Sequence, residues 1–581
     1  MNRNFIIIYL IFILQTPIIF GQLQNNNWVF GNGYRVNFSG LNPVVSNDAA
    51  ILSYSTSASV SDPSTGQLLF YTDAKKVWDA NNQVMQNGTN LLGGNNINYT
   101  QGAVIVPFTG DNQRYYVFTL DGVSIGSALS DDGLRYSIVD INLNGGLGDI
   151  EVATMNTQLA TDLTEKLIVI RSSEIQGFWL IAHRRTTNEF LAWKIDACGI
   201  SAQPVVSVVG SNFEIIGGFY NYYQGSIGAM AASPDGNRIG MPVDGTDRVE
   251  FFDFNKTTGV LSNPIIVNVT DVVFDPTYLI KHGACFSPDG SKFYYTNQNS
   301  VHQLNLSTYT SAAIASSNTE IYSSTVAPVG FACYQIERAL NNKLYVSLYN
   351  YELHQERLDE ISSPNSLGLG CGYINNAVSF SPSNDIFVEI GLPSQVPLGG
   401  FEANSTITFL PDSCLHSDFS FSIASSLPIN QINWNFGDVN SGLNNTSTAI
   451  NPIHQFSQLG SYQITAIVEF NCFKDTITQN ITVFDCLEEA DSLLPFEFPN
   501  VISPNNDNIN DILEITNLPE NTEVFILNRW GNKVFSSDNY QNNWQGNDNL
   551  GKELVDGVYT YYYKTKAGKT GHGFVYLVRN N

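Results

Sequence analysis

Among the 581 residues, the groups able to do chemistry are few and scattered. His183-Arg184-Arg185 follows a strand-like run and would attract an anionic ligand; the plainer alternative is a strand-end basic cluster paired with local acids. His282 stands two residues before Ala284 in an apolar stretch, where a structural histidine is expected over a catalytic base. Glu352, Glu356 and Glu360 recur at helical spacing and read as a loop or short surface helix. A glycosidase needs two acids at a fixed separation across a cleft, and no specific pair stands out. Tyr222, Tyr223 and Trp193 offer stacking surfaces for sugar rings, although strand aromatics mostly build cores. No Gly-x-Ser-x-Gly elbow, His-Glu-x-x-His pair, P-loop or dinucleotide fingerprint is present. The expectation is a protein without catalytic residues. An enzyme acting on glycans and a passive structural component are the alternatives.

Metal chemistry has two candidate places. The turn at Asp438 and the loop with Asn505, Asp507, Asn510 and Asp511 are rich in the oxygen donors that calcium takes. The plainer reading of Asp438 is a carboxylate capping its own turn. No cofactor is expected, with calcium as the minority alternative. Seven cysteines, at 198, 285, 333, 371, 414, 472 and 486, show no C-x-x-C spacing. Those in the first half sit in apolar text and read as buried small hydrophobes.

Residues 1–21 read as a secretory signal: Arg3, an apolar core over 5–14, and Gly21 before Gln22. Gln15, Thr16 and Pro17 stop that run well short of the ~18–20 residues that span a bilayer, so no membrane span is expected in the mature chain. Charged residues are 14%, aromatics 12% and net charge −26. This usage favours strands and turns, and the acidity excludes nucleic acid, whose phosphates need clustered cations. After Asp556 the only charges are Lys564, Lys566, Lys569 and Arg579, a basic end that reads either as a docking face or as a solvated strand face.

The elements that must position these residues are strands. Apolar runs recur at 66–71, 114–119, 177–182, 237–241, 291–295 and 342–346, spaced by about 45 to 63 residues, with second strands at 136–141, 190–195, 249–254 and 301–306. Ser233-Pro234-Asp235-Gly236 and Ser287-Pro288-Asp289-Gly290 are near copies of one turn. Repeats of this length with several short strands predict a β-propeller over 22–396, seven blades favoured and six or eight as alternatives, closed by residues 27–59 together with the segment after Cys371. Asn341-Asn342 replaces the Asp-Gly of the turn.

Three resemblances follow from these motifs. Trp28 to Gly33, Thr65 to Asp73, Val77-Trp78, Tyr136 to Asp140 and Gly391-Leu392-Pro393 resemble WD-like propeller domains. Trp434-Asn435-Phe436-Gly437-Asp438, then Pro452, His454 and Phe456, then Gly460-Ser461-Tyr462, resemble a PKD domain. That likeness implies an immunoglobulin-like sandwich over 401–486 with Trp434 as its core plug. Cys414 with Cys472 is the preferred bridge there, and Cys486 is the competitor. Residues 487–496 read as a linker.

Residues 497–581 resemble the type B, gliding-motility-type C-terminal sorting domain of Bacteroidetes-type proteins exported by type IX secretion. The matching elements are Phe498 to Val501, Ser503-Pro504-Asn505, Asn510-Asp511, Asn528-Arg529-Trp530-Gly531, Trp544-Gln545-Gly546, Asp556-Gly557-Val558-Tyr559 and 575–579. The usual Asn-Gly-Asp-Gly is here Asn505 to Asn508. By itself this segment reads as a small β-sandwich with a turn at 530–532, and 574–578 as a strand buried on both faces. The resemblance implies an all-β cargo, secreted or displayed on the outer surface after passing the periplasm. Its partners would be the type IX machinery and an extracellular glycan or protein, in an adhesive or binding role.

Overall fold

The computed structural model describes residues 23–579 except 41, 54–55, 95–99, 110, 112, 122–132, 174–176, 214, 217–221, 224, 270–281, 325–329, 351, 381–390, 397–404, 410–413, 416, 426–427, 473, 485–496, 508 and 567. The secretory-signal and linker readings, and Cys486, lie outside the described residues. The chain divides into two compact units, Met1–Thr406 with Ala424–Ile432 and Ile467–Ile477, and Ile407–Ile423 with Asn433–Ala466 and Thr478–Asn581. Both are built almost entirely of β-strands.

The first unit holds seven antiparallel sheets of three to five strands among the described residues, and one two-stranded pair. Each of the six recurrent apolar runs is the second strand of its sheet: Leu68–Thr72, Arg114–Asp121, Phe178–Arg184, Arg238–Val243, Lys292–Asn297 and Leu344–Asn350. The runs do not alternate because both faces are buried. Trp179 and Ile181 enter one core while Leu180 and Ala182 enter the next. Among the described residues seven such cores lie between successive sheets, and the sheet over 27–46 packs on both the last sheet and the one opening at Ala58. The ends meet where Asn25 Nδ2 donates to the Val396 carbonyl and the Val396 amide donates back to Asn25 Oδ1, each at 2.9 Å. This arrangement is a β-propeller.

Residues 27–59 do not form one blade. Asn27–Phe30, Tyr34–Asn37 and Val44–Ser46 make one sheet, while Ala58–Ser61 opens another. Tyr373–Ser379 completes the sheet of Phe331–Arg338 instead of the closing one.

The twin turns are built alike. Gly236 and Gly290, at φ 69° and 70°, donate to the carbonyls of Ser233 and Ser287, and each serine hydroxyl donates to the following aspartate. Asn342 takes the same place at φ 60°, a conformation asparagine tolerates.

In the middle region, Thr406–Phe409, Phe419–Ala424 and Ile453–His454 form one sheet, and Thr446–Ser447, Gln431–Asn435, Gly460–Glu469 and Lys474–Val483 another. Trp434 is buried among Phe421 and Phe436, its indole donating to the Ala449 carbonyl.

A bridge between Cys414 and Cys472 does not form. Cys472 is bonded to Cys198, 274 residues earlier. The ten-residue strand Lys474–Val483 explains this: Cys472 precedes it and Cys414 pairs with Phe484 beyond its far end. Ten extended residues put ~30 Å between them, against the ~7 Å Cα limit of a disulfide. Cys414 is itself disulfide-bonded. Cys198 is thus no buried hydrophobe, whereas Cys285, Cys333 and Cys371 are free and buried.

The C-terminal region is one five-stranded sheet ordered Val501–Ile502, Thr570–Leu577, Gly557–Lys564, Glu523–Leu527, Lys533–Ser537, the first pairing parallel and the rest antiparallel. Its core gathers Ile502, Leu513, Val524, Ile526, Trp544 and Val575.

Candidate functional site

Within the propeller, the polar groups that sequence inspection passed over converge on the innermost strands. The first strands of successive sheets are neighbours. Leu163–Arg171 is the first strand of its sheet, and a register shift between Leu163 and Leu167 leaves Glu165 and Lys166, both fully buried, out of its pairing with Phe178–Arg184. The Thr100 amide and hydroxyl donate to Glu165 at 3.1 and 2.9 Å. Lys166 Nζ donates to the carbonyls of Ile227, Gly228 and Pro242 at 3.0 to 3.4 Å. Burial pushes the Glu165 carboxyl up to about 8 against the pull of Thr100. It draws the Lys166 ammonium down to about 8, opposed by Asp244 and Glu165. Gln101 spans Leu167 and Met230, and Gln335 reaches the Thr100 carbonyl and the Leu392 amide. Thr100 lies ahead of the strand Ala103–Pro107, whose sheet is not successive to that of Gln335, so this last link joins segments beyond neighbouring sheets. These groups stitch sheets together.

The residues singled out from sequence are distributed otherwise. His183 is fully buried, stacked on Phe213 at 4.4 Å and edge-on to Phe190, and burial lowers it to about 3. Arg184 and Arg185 bond Glu189 and Asp162, the local pairing of a basic cluster. His282 falls to about 4 on burial, and its carbonyl accepts from Ala229. Trp193 is core, and Tyr222 and Tyr223 belong to the two-stranded pair. Glu356 and Glu360 lie in the strand Gln355–Ile361, not a helix, and even spacing buries both on one face. Burial raises the Glu356 carboxyl to about 7 beside Tyr34.

Asp438 is buried and does not cap its own turn. Its carboxylate accepts from the Ser457 amide at 2.7 Å and from the Ser457 hydroxyl, with His454 Nε2 at 3.3 Å. Burial would raise it, but these bonds prevail and hold it below the ordinary value. Phe436 stacks on His454 at 4.2 Å, Phe456 meets it edge-on, and Tyr462 packs on Phe456. Pro452 accepts from Phe421, Gly437 takes φ 71°, and Gly460 opens its strand. Motif residues here anchor turns. Among the described residues no cluster of three or more His, Cys, Asp or Glu side chains is placed to hold a metal.

In the C-terminal sheet, Asn528 Oδ1 accepts from Trp530 and Asn532, closing the turn in which Gly531 takes φ 77° and Trp530 stands exposed. Asp511 Oδ1 accepts the Asn505 and Asn506 amides just after Pro504, and Asn506 and Asn510 take φ 65° and 55°, a left-handed conformation that asparagine tolerates. Asp556 accepts from the Arg579 amide, whose guanidinium reaches the Gly546 and Leu554 carbonyls. Trp544 is buried and donates to Asn547, Arg529 approaches Gly557, and Phe498 stacks on Tyr561 at 4.3 Å. The last strand, Thr570–Leu577, is not buried on both faces: Val575 and Leu577 enter the core, and Phe574 and Tyr576 are 64% and 46% exposed. A second layer covers one side only.

Residues 496–577 match the CHU_C type IX secretion signal domain family. No curated protein matches the chain. Among solved structures, the chain is similar to a 6-phosphogluconolactonase-like protein of Bacteroides uniformis (11% identity, 63% of this chain and 99% of that one, TM-score 0.39). It is also similar to PorZ, a surface component of the type IX secretion system of Porphyromonas gingivalis (11% identity, 95% and 69%, TM-score 0.28). The C-terminal match marks the chain for export to the cell surface or the medium and implies contact with the type IX machinery. No helix among the described residues is long and apolar enough to cross a membrane.

Proposed function

We propose that this chain, carrying a type IX secretion signal domain at its C-terminus, is a surface-displayed or released binding protein. In this reading a seven-bladed propeller holds an extracellular glycan or protein, and a PKD-like sandwich acts as spacer ahead of a type B sorting domain. The observation that carries the non-enzymatic reading is the use made of the buried ionisable groups. Lys166 satisfies three carbonyls, Glu165 holds Thr100, and Arg184 and Arg185 pair locally. Groups committed to joining sheets leave recognition to the loops of the ring.

A glycan-acting enzyme is the second reading. The observation favouring it is Glu356, whose carboxyl near 7 has the poise of a general acid. The purified mature chain on a glycan array, with binding and released product read together, separates the two. Binding without turnover is expected; turnover lost in Glu356→Gln would favour the enzyme.

A further inference from the structure

The outer face of the C-terminal sheet is apolar where a solvated face should be polar. Strand register lays it out in rows. Val501, Tyr576 and Val558 lie side by side, as do Phe574, Thr560 and Leu527, then His572, Tyr562 and Phe525. Val558, Phe574 and Tyr576 are 51%, 64% and 46% exposed. The third row is a ladder of rings, Phe525 on Tyr562 at 5.1 Å and Tyr562 on His572 at 5.4 Å, closed by Lys533 Nζ 4.4 Å over Phe525. Lys564 stands in the adjoining row opposite Glu523. The sheet's opposite face is the domain's own core, so these rings are not needed to fold it.

We propose that this outer face is the surface by which a receptor protein of the export machinery reads the chain, through an apolar patch rimmed with acids. The proposal rests on the sorting reading of the domain and adds the face that is read. Two observations favour that occupant. The matched signal domain spans this sheet, and a folded signal is read through the atoms it exposes. The face also carries Lys533 and Lys564, with Glu523 opposite the latter, a net positive rim on a chain of net charge −26, and such a rim selects an acidic partner surface.

The test uses the full chain in its producing cell. Phe574→Ser with Tyr576→Ser should lower the surface-exposed fraction about tenfold, the effect of ~1.4 kcal/mol of lost binding, with folded protein retained in the periplasm. Leu550→Ser, 94% exposed and outside the face, should export normally. Wild-type display of the double variant would overturn the proposal. If the double variant unfolds, Lys533→Glu with Lys564→Glu decides instead: reduced display supports the face and unchanged display overturns it. Removal of 497–581 separates the two claims. A truncation that still reaches the surface sinks the sorting reading itself, whereas a retained truncation beside a displayed double variant sinks only the face. Co-sedimentation of the purified chain with anionic phospholipid vesicles should be absent; binding lost in the double variant would replace the receptor with a membrane and overturn the assignment.

Discussion

The propeller and the C-terminal sheet use the same apolar strand text for opposite ends. Phe178–Arg184 is apolar on both sides because a sheet packs on each of its faces. Thr570–Leu577 has a comparably apolar end, yet one of its faces is open. The ring conceals its charges and joins sheets with them, while the C-terminal sheet exposes its rings. Burial on two faces is a property of the neighbours a strand finds, and a strand's own residues do not reveal it.

Four substitutions sharpen that contrast. The largest effect belongs to the ring. Lys166→Met removes the donor shared by three buried carbonyls and strands nearby carboxylates, so denaturant unfolding should show a loss of ~3–5 kcal/mol. A loss below ~1 kcal/mol would mean the hub does not hold sheets together.

Next comes pH. Glu165 titrates at about 8 in the folded chain against an ordinary 4.5. Its stabilising neutral form is therefore complete below about 4.5 and lost as pH rises toward 8. Lys166, lowered from 10.5 to about 8, acts in the opposite sense from 8 upward, where the unfolded chain binds more protons. Stability should fall by ~3 kcal/mol between pH 5 and 8 and recover above it, and Glu165→Gln should flatten the acid-side slope. An unchanged slope in that variant contradicts the assignment.

Gly573→Ala probes the inner face of the C-terminal sheet, since a Cβ there overlaps the Tyr561 ring. Thermal unfolding should register ~1–3 kcal/mol of overpacking. Phe574→Ser, one position along on the open face, should cost within ~0.5 kcal/mol. Equal losses at 573 and 574 would erase the inner–outer distinction.

Much of this architecture was legible beforehand, and unevenly. Turn chemistry travelled best. The Ser-Pro-Asp-Gly copies, Asn342, and the Asn528-to-Asn532 turn are local, and local rules decide them. The six anchor runs located six sheets because two-sided burial leaves an unbroken apolar mark. Contacts between distant segments were not legible. Cys198 meets Cys472 across 274 residues, and spacing favoured the nearer Cys414. Glu165-Lys166 sits in an ordinary-looking strand, and its partners Thr100, Ile227, Gly228 and Pro242 are each more than sixty residues away. Asp438 looked like the cap of its turn, but its acceptors serve Ser457, nineteen positions on.

The central claim is that residues 497–581 direct the chain out of the cell. The direct measurement compares full-length chain with one ending at residue 496 in a cell with intact type IX secretion, reading surface protease access and periplasmic content together. The account predicts surface-accessible full-length protein and a folded, periplasmic truncation. Equal display of both would contradict it.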